Sequence, residues 1–163
     1  MELYNNDNLQ EIGETLLANN ETIAVAESVT SGAIQLGMSN IRNASHFFQG
    51  GITTYNLAQK FHHLQVEPDH ARQVNCVSQQ VAVEMAIHVA RSFSANWGIA
   101  ITGYAVPAAE SGNRVFAFYA ICKNGEVTST GEICPEQDEP LELQLYYANK
   151  VLSELHRIIR KNQ

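Results

Sequence analysis

Residues 22–34 read TIAVAESVTSGAI. The run 23–26 is apolar, and its first charge is Glu27. Such a short run, bounded by turn-forming residues, suits a strand buried on both faces. Hydroxyls follow at Ser28, Thr30 and Ser31, and then comes Gly32. From Thr30 to Ile41 the apolar residues Ile34, Met38 and Ile41 return at helical spacing. A strand therefore hands over to a helix at residues 28–32, and hydroxyl side chains crowd the junction.

The pattern on either side extends this reading. Residues 7–19 are predicted helical, with Leu9, Ile12 and Leu16 on one face. Residues 43–55 read as a β segment interrupted by Gly50 and Gly51, where a turn, a bulge or a close approach is expected. A short helix is predicted over 56–64. Ser78 is placed to cap a helix over 79–94, on which Val81, Met85 and Val89 repeat every four residues. Residues 97–103 and 114–122 are two more strands. Asn124-Gly125 is a hairpin signal, and the alternating strand 126–134 follows it. Pro140 opens a long helix whose stripe is read as Leu141, Leu145, Ala148, Leu152, Leu155 and Ile159. The order is α/β: three layers, α/β/α, with a mixed sheet covered by helices. The whole chain, 1–163, is expected to be one domain.

Composition narrows the function classes. Charged residues are 17% and hydrophobic residues 45%, as in soluble globular proteins. No apolar run reaches membrane-spanning length, and the first residues lack a signal-peptide pattern. A cytoplasmic protein without membrane partners is expected. The formal charge of −7 argues against general binding to nucleic acid, yet allows one small anion in a local pocket. Cys76, Cys122 and Cys134 have no CxxC spacing, and the His62-His63 pair diverges around a helix. Neither a metal nor a cofactor is expected.

Ligands of open α/β sheets bind outside the carboxyl ends of strands. Two junctions qualify, residues 28–32 and Thr102-Gly103. A helix start at the first can hold an anion, and a serine there can attack an electrophile. Thr30 or Ser31 can equally be a simple N-cap. A nucleophilic serine needs a base. Candidates are a His or a lysine whose pKa burial has lowered. Lys60 stands five residues after Tyr55, just past the Gly50-Gly51 break, although an exposed helix lysine would have the same spacing.

These residues carry a resemblance. AESVTSG (26–32) resembles the AESxTGG motif of the CinA C-terminal domain family. NASHFFQGGITTYNLAQKFHHLQV (43–66) is similar to its second stretch without a gap, VSQQVAVEMA (77–86) to its helix, and WGIAITGYAVP (97–107) to its strand ending in TGIAGP. Linked motifs in order are far more specific than any one of them. Characterised members hydrolyse nicotinamide mononucleotide to nicotinate mononucleotide and ammonia. The resemblance implies Ser28 as nucleophile, Lys60 as general base and Tyr55 beside them. It implies Glu27, Thr30, Ser31, Gly32, Gly51, Thr102 and Gly103 around a pyridine nucleotide, no metal, and a homo-oligomer. Members also occur fused behind a larger domain; none of that domain is seen here, and the stand-alone form is expected.

The chain departs from the family at the ligand loop. TGYAVPAAESGNRVFA (102–117) lacks the family's second Gly, its Gly-Gly pair and its Lys-Pro. Glu142 falls where the family commonly carries a substrate-binding Arg. Arg114 is the preferred replacement, ahead of Arg42 and Arg72. Three readings follow: the amidohydrolase, with a cationic or amide-rich pocket; a non-catalytic binding protein, its pocket blocked by Tyr104 or Val106; and a Ser/Lys hydrolase of a less anionic substrate.

Overall fold

Alternation along the first strand divides the interior into two cores. In β1 (Ile23–Glu27), Ile23 and Val25 point to one face and Ala24 and Ala26 to the other, and all are buried. The structure, a computed structural model, describes residues 1–162. Its sheet has five strands in the order β2-β1-β3-β4-β5. The others are β2 (Phe48–Thr53), β3 (Trp97–Tyr104), β4 (Phe116–Lys123) and β5 (Glu126–Ile133). β1 pairs in parallel with β2 and β3, whereas β3, β4 and β5 are antiparallel neighbours. The mixed α/β sheet is therefore present.

One face is covered by α1 (Asn6–Ala18), α2 (Ala33–Ser39) and α6 (Pro140–Lys161), which bury Ile12, Leu16, Ile34, Met38 and Leu155 against Val25, Trp97 and Ile99. The other face carries α3 (Leu57–Leu64), α4 (Pro68–Gln73) and α5 (Gln79–Ser92). Sheet residues on that side are small: Ala24, Ala26, Gly98, Ala100 and Ala120. The reason is the close approach of α5. A Cβ on Gly98 would lie 2.1 Å from the Ala86 carbonyl oxygen. Small residues let this helix sit directly over the central strands.

Two expectations need correction. Leu141 is 64% exposed. The buried face of α6 runs through Leu143, Tyr147, Ala148, Val151, Leu152, Leu155, Ile158 and Ile159. Leu141 stands two residues from Leu143, about 200° around the axis, and so points away. Helix α4 was not expected from periodicity; with six residues it is too short to show one. Its signal is chemical: Pro68 opens it, and the Glu67 carboxylate accepts the Asp69 and His70 amides.

Candidate active site

The sheet order brings the carboxyl ends of β1 and β3 side by side, with α2 and α5 on opposite faces. A cavity of about 510 Å³ opens there, with Ser28 and Thr102 in its wall. Ser28 is buried, the first residue after β1. The Lys60 Nζ donates to its Oγ at 2.7 Å, although 32 residues separate them. The same amine donates to the Thr54 carbonyl at 2.7 Å.

Local structure explains the placement of Lys60. The Thr54 amide donates to the Glu27 carbonyl, extending the β1-β2 ladder one residue past the end of β2. Asn56 caps α3 by accepting the Gln59 amide, and Lys60 lies one turn further on. Lys60 is only 1% exposed. Burial brings its pKa down from 10.5 to about 8, and the Cys76 thiol beside it pulls modestly the other way. At pH 7 about a tenth of such amines is neutral, roughly 300-fold more than for an ordinary lysine.

Glu27 is fully buried behind the serine. Its carboxylate accepts the Thr30 hydroxyl at 2.5 Å and the Ile34 and Gln35 amides at 2.9 Å each. The anion at the start of α2 is thus the protein's own. The Ile34 and Gln35 amides are therefore already paired within the protein, while Thr30, Ser31 and Gly32, expected around the substrate, precede them in the turn. Helix α6 steadies two walls of the cavity. Gln144 donates to the Val29 carbonyl at 3.0 Å, and the Tyr147 hydroxyl donates to the Tyr104 carbonyl at 2.8 Å.

The family model of the CinA C-terminal domain matches residues 5–158. The chain belongs to that family. A CinA-like protein of Nostoc punctiforme is 38% identical over 104 residues, 63% of this chain and 25% of the relative. One of Prochlorococcus marinus is 29% identical over 150 residues, 90% of this chain and 35% of the relative. The chain thus spans about a quarter to a third of the curated relatives it matches. Among solved structures, the competence or damage-inducible protein of Enterobacter asburiae superposes with a TM-score of 0.89 at 22% identity, covering 94% of this chain and 97% of that one. The competence/damage inducible protein CihA of Agrobacterium tumefaciens gives 0.84 at 25% identity, covering all of both chains.

Within this CinA domain the expected site residues separate into groups. Ser28, Lys60, Tyr55, Thr102 and Gly103 all line the cavity. Tyr55 is 69% exposed at its mouth. The Thr102 hydroxyl donates to the Cys76 carbonyl at 2.7 Å, tying β3 to the segment before α5. A Cβ on Gly103 would meet Ala117 at 2.5 Å, so close strand pairing accounts for this glycine. Glu27 and Thr30 form the cap behind the wall. Ser31 and Gly32 lie outside the lining, both at positive φ, 48° and 102°. Gly51 also lies outside it; a side chain there would collide with Gln35 and the Val25 carbonyl.

The cationic candidates are reordered. Arg114 is exposed, stacks 4.9 Å above the Phe116 ring and does not line the cavity. Arg42 is also absent from the lining, whereas Arg72 is part of it. Glu142 faces a separate surface cavity with Glu2, Glu136 and Asp138. Tyr104 and Val106 stand in the wall, yet the cavity stays open.

Two neighbours escaped the sequence reading. Cys76, half-buried with φ 62°, has its thiol pushed up by burial while Lys60 draws it down. Asn75 donates to the Tyr104 hydroxyl at 3.0 Å. Asn75 and Cys76 are both left-handed, and although Asn tolerates that backbone, nothing in the sequence marks a Cys for it. Among the described residues no helix is long and apolar enough to cross a membrane, and no set of three His, Cys, Asp or Glu side chains gathers as metal ligands.

Proposed function

We propose that this CinA domain is an amidohydrolase that converts nicotinamide mononucleotide to nicotinate mononucleotide and ammonia. The observation that carries the reading is the 2.7 Å contact between the buried Lys60 amine and the Ser28 hydroxyl. A serine beside a lysine of pKa about 8 is a nucleophile with its base in place. The choice of substrate rests on the family resemblance. Further support comes from the open cavity, with Lys60, Arg72, Asn56 and Asn75 in its lining.

In this reading neutral Lys60 takes the Ser28 proton as Oγ bonds to the carboxamide carbon. The carbonyl electrons move to oxygen, and the new ammonium lies close to that oxyanion. Lys60 then protonates the departing nitrogen, the C–N bond breaks and ammonia leaves an ester on Ser28. Water, deprotonated by the same amine, attacks the ester and releases the carboxylate and the serine. The Thr54 carbonyl fixes the amine throughout. The exposed Tyr55 hydroxyl is placed to meet the substrate at the mouth. Ala105 and Val106 in the wall favour one alternative, a differently shaped amide cleaved by the same pair.

The experiment is ammonia release from nicotinamide mononucleotide by the unaltered protein, Ser28→Ala and Lys60→Ala. Release that disappears in both variants is expected. Well-folded protein that releases none at high concentration rejects this substrate.

A further inference from the structure

The chain carries a formal charge of −7, yet among the described residues the lining of the cavity beside Ser28 holds no carboxylate and two cations, Lys60 and Arg72. An acidic protein has thus kept one wall free of acid. Lys60 is buried and committed to Ser28 and Thr54. Arg72 sits on α4 with a side chain 64% exposed, and its guanidinium donates to Asp69 at 2.9 Å, one turn back. Asp69 is 83% exposed and outside the lining. An exposed pair of this kind is weak. A phosphate monoester carries more charge and matches the guanidinium fork with two oxygens.

We propose that Arg72 is the anion anchor of this cavity, exchanging Asp69 for the phosphate of the substrate at the end away from its carboxamide. The inference rests on the amidohydrolase reading and adds to it a specificity-determining residue. It supplies the cation that Glu142 cannot and that Arg114, turned to Phe116, does not bring to the cavity. Arg72 acts on binding alone; the dyad performs the chemistry.

The test is an NMR titration of the whole chain with inorganic phosphate, in the unaltered protein, Arg72→Gln, Arg72→Lys and Asp69→Asn. Arg72→Gln is expected to weaken binding about tenfold or more, and Arg72→Lys to restore part of it. Asp69→Asn is expected to tighten binding, since the competing carboxylate is gone. In steady-state ammonia release, Arg72→Gln raises KM for nicotinamide mononucleotide and keeps kcat within about twofold. The phosphate-free nicotinamide riboside is unaffected by that substitution. Phosphate affinity that is equal with and without Arg72, or absent from the unaltered protein, overturns the inference whatever the amide chemistry. Phosphate binding that depends on Arg72, with no ammonia release, sustains the anion site and rejects the substrate reading.

Discussion

Replacing Lys60 with Met should make stability depend on pH in a way that reports the buried amine. In the unfolded chain this lysine keeps its proton up to 10.5; in the fold it releases it at about 8. At about 1.4 kcal/mol for each tenfold change in proton affinity, the difference is about 3 kcal/mol. Between the two values the unfolded state binds more protons, so stability rises with pH. Below pH 8 both states are protonated and the fold bears the whole cost of a buried ammonium. Above 10.5 both are neutral and the cost is gone. Lys60→Met lacks this group but leaves the Thr54 carbonyl without its donor, a pH-independent loss of about 1–3 kcal/mol. The variant should therefore match or exceed the unaltered protein by up to about 2 kcal/mol at pH 7. At pH 10.5 it should be about 1–3 kcal/mol less stable. Urea unfolding across pH 7–10.5, with Cys76→Ser in both proteins to remove the coupled thiol, measures the gap. Tyrosines and surface lysines cancel in the difference. A gap that stays constant with pH would refute the reasoning, because Lys60 would then keep an ordinary proton affinity in the fold.

Two further outcomes follow from the groups around the dyad. Glu27→Ala strands the Thr30 hydroxyl and two amides of α2, so a loss of about 2–4 kcal/mol in denaturant unfolding is expected, with Ser28 displaced and activity reduced. The Thr54 hydroxyl is buried and has no hydrogen-bond partner among the described residues. Thr54→Val should therefore keep the carbonyl that holds Lys60 and raise stability by about 1 kcal/mol, seen as a higher Tm with unchanged activity.

Much of this was legible because the decisive signals are local. The apolar run 23–26, ended by Glu27, and the run 97–101 suit buried strands by their length and flanking turn residues, and both strand ends pointed to the site. Ser28 and Lys60 were legible as candidates, but their contact was not. It depends on the backbone carbonyl of Thr54 and on the placement of α3 beyond the end of β2, and neither has a side-chain signature. Glu27 looked like part of a substrate site; in the fold its negative charge fills the α2 start itself. Arg114 ranks ahead of Arg72 in the sequence because it sits near where the family carries its Lys-Pro, and α4, six residues long, is too short for a periodic pattern that would place residue 72 near residue 28. The phase of α6 was misread at Leu141 because an apolar residue in a first turn satisfies several registers at once.

In the proposed reaction buried Lys60 activates Ser28. The most direct test is the rate of acylation by an activated aryl ester as a function of pH, with the labelled residue mapped by mass spectrometry. Label on Ser28 is expected, at a rate that rises with a midpoint near pH 8 and loses that rise in Lys60→Met. Label distributed over surface lysines, or on Ser28 at the same rate with and without Lys60, would contradict it.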